Sequence, residues 1–354
     1  MNPEVRIVLS GPGLIGARHA ALLHENPQTR LAAIVAPDHP ENMAFAQEAG
    51  VRLFTTLEKA LASAPIDAAI VSSPNAFHHD QALACIESRL PVLVEKPLTE
   101  SLDTAAAVMR AAEAHGVAVL VGHHRTYSPL LEAARDFIAS DRFGAPVAVQ
   151  GSALFYKPDE YYVSGAWRTR KGGGPILINM IHEVGILRHL YGEIDSVTAR
   201  ISRATRGFEV EDSAAVTLAF CNGAIGTFLL SDAGASNKSW EMTAGENAAY
   251  PHFPDQNCYH FAGTMGSLDF PSMRVRSYLD RSERSWWGPF DEGRIAVLRH
   301  DPLARQIGHF VDVVRGSAQP RVTARDGFLN MVVLEAISRA AETRREVSIR
   351  EVMP

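Results

Sequence analysis

Three groups of residues in this sequence could do chemistry together: glycines spaced Gly11-x-Gly13-x-x-Gly16, a lysine in Glu95-Lys96-Pro97, and an imidazole, His182, inside GGGPILINMIHEVGILRHL (172–190). Glycines at that spacing permit a tight turn and close approach of backbone to a pyrophosphate, and a helix N-terminus offers N–H groups and positive dipole to the anion. The backbone from Gly11 through Gly13, Leu14 and Ile15 to Gly16 is the expected cradle. A lysine held beside a cofactor can donate to a substrate hydroxyl and stabilise the alkoxide that forms as hydride leaves. An imidazole titrates near neutrality and suits a general base. Taken alone, His182 reads equally as a hydrogen-bonded core residue among isoleucines, a leucine and a methionine.

Such groups need a frame. The first third alternates apolar, β-branched runs at 5–10, 31–36, 68–73, 91–96 and 118–124 with helical patterns at 14–26, 40–49, 56–63, 78–89 and 101–115. Repeated strand–helix–strand units with nearly continuous apolar strands predict a doubly wound parallel sheet covered on both faces. The glycine loop follows the first strand. SSPNAFHHD (72–80) follows the third and VEKPLTES (94–101) the fourth, both at carboxyl ends where such sheets bind ligands. Ser73, Pro74, Asn75, His78, Glu95 and Lys96 therefore join the expected cofactor site. An acid that would bind ribose hydroxyls is absent from the end of the second strand, where Ala36 stands, with Asp38 two residues on and no arginine at 37–39. NAD and NADP both remain compatible.

From about residue 125 the grammar changes. Helical patterns at 128–139 and 175–191 precede alternating β-like runs over roughly 195–290, and two helices, 301–315 and 325–344, close the chain. This predicts an open, mainly antiparallel sheet with helices on one face, in a second domain at 125–354 after a nucleotide-binding domain at 1–124. In the joining HHRTYSP (123–129), His124, Arg125 and Tyr127 are candidates to reach substrate, as are Trp167 and Arg168. If 175–190 is one α-helix, Ile178, Asn179 and His182 share a face.

At 354 residues, 46% hydrophobic and 21% charged, the chain has enough material for two cores. A formal charge of −6 argues against a mainly electrostatic affinity for nucleic acid or anionic membrane, while leaving room for a local basic site. Three cysteines without CxxC spacing fit neither a disulfide framework nor a zinc site, and no metal is expected. With no signal-peptide pattern at the amino terminus and no long apolar run, the expected location is the cytoplasm.

The glycine loop, S-P-N-x-x-H, E-K-P and a late G-G-G-x(7)-H resemble, in that order, the glucose–fructose oxidoreductase, inositol dehydrogenase and rhizopine-catabolism (Gfo/Idh/MocA) family. The likeness extends to AWR (166–168), EDSAAVTLAFCNGAIGT (211–227), DPLARQIGHFVDVVRG (301–316) and VTARDGFLNMVVLEAISRA (322–340). It implies a Rossmann domain followed by an α/β domain whose open sheet forms a homodimer or homotetramer. It also implies hydride exchange between NAD(P) and a secondary hydroxyl of a sugar, inositol or cyclic diol. The family lysine falls on Lys96 and the family histidine on His182, with Asn179 helping to place substrate. The chain departs from the family where an aspartate is common, carrying Ile178 four residues before the histidine and Gly185 three after it. Two alternatives stand beside the dehydrogenase: a redox-assisted lyase or glycosidase that retains its NAD, and a dinucleotide-binding sensor without turnover.

Overall fold

The computed structural model describes residues 3–63 and 65–354. Two compact units emerge, one built from residues up to His124 with 302–331 and Pro354, the other from 125–301 with 332–353.

The first unit alternates β1 (Val5–Ser10), α1 (Leu14–Glu25), β2 (Thr29–Val35), α2 (Pro40–Glu48), β3 (Arg52–Phe54), α3 (Leu57–Ser63), β4 (Ala68–Val71), α4 (His78–Glu87), β5 (Val92–Val94), α5 (Leu102–His115) and β6 (Val119–Val121). The strands run parallel in the order β3-β2-β1-β4-β5-β6. Strand order reverses between β1 and β4, the position where doubly wound sheets open a ligand crevice. β3 is an addition to the five expected strands; three residues are too few to show a period. β4, β5 and β6 are buried along their whole length, as strands covered on both faces must be.

The second unit opens with α6 (Pro129–Ile138), capped by the Ser128 hydroxyl, which accepts the Leu130 N–H at 3.1 Å. It continues with β7 (Pro146–Leu154), α7 (Asp159–Val163), α8 (Ile181–Tyr191), β8 (Ile194–Ser202), β9 (Ser213–Phe220), β10 (Ile225–Ser231), α9 (Trp240–Ala244), β11 (Tyr259–Gly263), β12 (Gly266–Phe270), β13 (Arg274–Ser277) and β14 (Asp291–Arg294). After α10 (Pro302–Val314) and α11 (Ala324–Thr343), the short β15 (Val347–Ser348) completes a nine-stranded sheet ordered β14-β13-β12-β11-β7-β10-β9-β8-β15. All its pairings are antiparallel except β7 with β10. One face carries the core: the Tyr191 hydroxyl on α8 donates to the Ala148 and Ala262 carbonyls at 2.8 and 2.7 Å, and Tyr259 stacks on Phe261 at 5.5 Å. The opposite face is open, with Ile225 and Leu229 64% and 49% exposed while Phe228 and Leu230 between and after them are buried.

One expectation needs correction. Residues 302–331 do not belong with the second unit: Ile307, Phe310, Val311 and Val313 of α10 share a core with Val5, Ile7, Leu9, Leu23 and Leu93 of the parallel sheet and α1. The apolar spacing at 303, 307, 310, 311 and 314 makes α10 amphipathic, so its stripe must be buried somewhere. No helix among the described residues is long and apolar enough to cross a membrane.

Candidate functional site

In the glycine loop Gly11 and Gly16 each meet a different neighbour and Gly13 meets none. Gly11 has φ +83°, and a Cβ there would sit 2.5 Å from the Ser73 backbone. A Cβ on Gly16 would strike the Gly11 carbonyl and come within 2.8 Å of Ser72 Oγ. Gly13, the N-cap of α1, has no neighbour within 4 Å of its would-be Cβ, and Leu14 beside it is 92% exposed. An open glycine at the N-terminus of a twelve-residue helix, with Ile15 half-buried behind it, has room and N–H groups that would fit a pyrophosphate. The loop is braced from below: Ser72 Oγ donates to the Ser10 and Gly11 carbonyls at 2.9 and 2.8 Å, and the hydroxyls of Ser10 and Ser73 both reach Gln81 Oε1 at 2.9 Å.

Other expected cofactor residues take several positions. Ala36 is buried and its N–H donates to the Phe54 carbonyl, while Asp38 is exposed. Pro74 is exposed and Asn75 half-buried in a 3₁₀ turn, Asn75–Phe77, leading into α4. His78 is 1% exposed, its ring nitrogens 2.9 Å from the Pro97 carbonyl and 2.8 Å from the Ser73 carbonyl. It ties the loop after β4 to the loop after β5.

Glu95 turns inward, and its partner was missed at the level of sequence. His19, fully buried on α1, places Nε2 2.8 Å from Glu95 Oε1. Burial raises the Glu95 carboxyl, but the His19 hydrogen bond and the charges of His19, His124 and Lys96 outweigh it and hold it below its ordinary value. The Lys96 N–H reaches the other carboxylate oxygen at 3.3 Å, and a Cβ on Gly122 would lie 2.7 Å from it. The carboxylate thus joins α1, the end of β5 and the end of β6 around the residue before Lys96, which is half-buried. The available signal was position: His19 lies three residues after Gly16, on the face of α1 turned to the sheet.

In the second unit, the stretch holding His182 begins with a π-helical turn, Ile176–Met180, before α8. A π turn takes in an extra residue, so the even spacing expected for Ile178, Asn179 and His182 does not carry across it. His182 occupies the first turn of α8 and is 7% exposed. Glu211 accepts the Ile176 N–H at 2.8 Å and occupies the space a Cβ on Gly174 would need. Asn179 is half-buried and its Oδ1 accepts from Lys157 Nζ at 2.7 Å.

Arg125, expected at substrate, is instead enclosed. Its guanidinium is 2.7 Å from Glu183, pairs also with Glu241, and lies 5.3 Å from the Trp240 ring centre. Burial alone would lower its pKa; the two glutamates raise it above the ordinary value. Tyr127 is fully buried and His124 half-buried in the 3₁₀ turn His124–Tyr127. Trp167 is 52% exposed and Arg168 lies over Tyr161 at 3.8 Å.

Comparison with known proteins agrees with this geometry. Residues 5–123 match the Gfo/Idh/MocA model described as an oxidoreductase family with NAD-binding Rossmann fold, and residues 131–269 match a C-terminal domain of the same family. A 1,5-anhydro-D-fructose reductase of Ensifer adhaerens is 28% identical over 86% of this chain and 87% of its own. A scyllo-inositol 2-dehydrogenase (NAD(+)) of Bacillus subtilis is 26% identical over 94% and 93%. An NAD-binding oxidoreductase from Klebsiella pneumoniae shares the fold with a TM-score of 0.77 at 21% identity, covering 98% of this chain and 99% of that one.

Proposed function

The chain belongs to the Gfo/Idh/MocA oxidoreductase family, and from that premise we propose that it is an NAD(P)-dependent dehydrogenase oxidising a secondary hydroxyl of a ring-shaped, hydroxylated substrate. When bound, the dinucleotide supplies the hydride acceptor. Gly11 to Gly16 hold its pyrophosphate, Lys96 donates to the substrate oxygen as negative charge grows there, and His182 takes the hydroxyl proton. The names of the two curated relatives, a reductase of an anhydro-sugar and a dehydrogenase of an inositol, support the substrate class. The open face of the nine-stranded sheet supports association with further copies of the chain.

The single observation that carries this reading is the joint build of the first unit. An open glycine cradle follows β1, and two strands along the sheet a lysine follows β5, its neighbour Glu95 locked to the helix that the cradle starts. The test is a panel of inositols, aldoses, anhydrosugars and cyclic diols with NAD and NADP separately, read by formation of reduced nicotinamide. We expect His182→Ala and Lys96→Met each to lower kcat on the best substrate by about 10²–10⁴-fold, the usual weight of a proton-transfer or oxyanion group. Undiminished oxidation by His182→Ala removes the assigned base.

A further inference from the structure

The amide of Asn179 has a determined sense. Because its Oδ1 accepts from the Lys157 ammonium at 2.7 Å, its Nδ2 is the end left to meet a ligand, and among the described residues that nitrogen finds no acceptor. Asn179 therefore presents donors three residues ahead of His182. Ile178, the neighbouring position, adds none.

Lys157 belongs to a cluster of cations. It is 8% exposed, 3.5 Å from Asp232 and 4.9 Å from the Tyr161 ring centre. The same ring carries the Arg168 guanidinium at 3.8 Å. Arg168 Nη1 donates to the Tyr161 carbonyl and, at 3.4 Å, to Ser164, whereas Nε is buried with no acceptor among the described residues, and no carboxylate there pairs with it. Arg206 shares Asp232 with Lys157, at 3.2 Å, and Asp232 also accepts from the Tyr162 hydroxyl at 2.6 Å. Two cations, Lys157 and Arg206, thus share one buried carboxylate, and Arg168 lies on the Tyr161 ring beside them without one. The other nearby acids are engaged or exposed: Glu211 is pinned to the Ile176 N–H and its burial favours the protonated form, Asp212 accepts the Thr205 and Arg206 N–H groups at 2.9 Å, and Asp159, 3.6 Å from Arg206, is exposed.

A site of this kind has donors to spare and its acceptors already engaged. A hydroxyl entering it can accept, but its own hydrogen then lacks a partner, which is costly once the group is buried. A carboxylate only accepts, is planar, and gains from charge-assisted bonds to a guanidinium and an amide. We infer that the substrate carries a carboxylate beside the carbinol that is oxidised, held by Asn179 Nδ2 and Arg168 in the field of Lys157: a sugar acid of the uronate or aldonate kind rather than a neutral polyol. Lys157 is a positioning residue, acting through Asn179. The inference rests on the reading of His182 as base, which fixes where the carbinol lies.

Its test measures binding, so that it stands apart from turnover. Protein carrying Lys96→Met and saturated with NAD is titrated calorimetrically with D-glucuronate against D-glucose, D-galacturonate against D-galactose, and D-gluconate against D-glucitol. We expect the acid to bind at least about tenfold tighter in one or more pairs, the scale of one charge-assisted contact. Arg168→Gln and Lys157→Met should narrow that ratio to below about threefold, and Asn179→Asp, which sets carboxylate against carboxylate, should reverse it. Equal or weaker binding of all three acids, no binding of any of them, or an acid preference that survives Asn179→Asp overturns the inference. A wild-type enzyme that reduces no nicotinamide with any sugar overturns the dehydrogenase reading instead, and leaves the affinity ratio to be judged separately. Asn179→Asp and Arg168→Gln alter half-buried side chains, so the test survives if Lys157→Met fails to fold.

Discussion

Gly13 differs from the other two glycines of its loop in having φ −70° and open space where a side chain would project. Gly13→Ala should therefore fold with a Tm within a few degrees of the parent, yet bind NAD(P) at least about tenfold more weakly, because the added methyl occupies room meant for pyrophosphate. Gly11→Ala meets both a left-handed φ and the Ser73 backbone, and should lose stability itself. Thermal melts beside a cofactor titration separate the two; equal cofactor affinity in Gly13→Ala sinks the assignment of the cradle. The loop was readable from sequence because its chemistry is local, confined to six residues between a strand and a helix. Lys157 was not, because its significance comes from Asn179, Asp232 and Arg206, which three distant segments deliver. Arg125 misled for the complementary reason: a lone arginine in a polar joint looks available until Glu183 and Glu241 are seen around it.

The helices and strands carry a pH dependence of their own. Glu246, after α9, is pushed up to about 7 by burial, against the pull of the Ser128 hydroxyl and the Arg125 charge; Oε2 meets no donor among the described residues. A carboxyl raised in the folded state keeps its proton after the unfolded chain has released it. Its contribution is therefore present below the ordinary carboxyl range and lost as pH climbs to about 7. Glu246→Gln should reduce the fall in Tm between about pH 5 and about pH 8; an unchanged fall would show that the group titrates normally. Glu95 has the opposite sign: held low by His19, it stabilises above the ordinary carboxyl pKa and ceases to do so as pH drops through its folded value. At this scale the parallel half was legible, since short apolar runs between helices allow few other arrangements. β7 was overlooked. Its alternation, PVAVQGSAL, is diluted by small residues, and Gly151 is required where Phe228 and Tyr259 crowd within 2.5 and 2.9 Å of its would-be Cβ. The π turn before α8 has no simple periodic signal at all.

The open face of the nine-stranded sheet leaves apolar side chains exposed. Ile225 and Leu229 project from β10 between threonines and alanines of β9, Thr217 lying opposite Thr227 and Ala215 opposite Leu229. Exposed apolar area of this kind is what the proposed association of copies would cover. Ile225→Glu with Leu229→Glu should convert a dimer or tetramer to monomer in light scattering while far-ultraviolet dichroism stays native; a wild-type monomer at all concentrations would refute the proposal. The open face followed from the alternation of its strands, legible in SAAVTLAF and AIGTFLLS. The return of α10 to the first sheet was not legible, for an amphipathic stripe declares that it needs a partner and not which one.

That return bears on how the protein comes into being. A ribosome releases the whole parallel sheet long before it makes Ile307, Phe310 and Val311, which seal the flank of β1 and α1. Until then the nascent nucleotide-binding half holds an unsealed greasy seam, so a segment translated about two hundred residues later decides whether the first part is native.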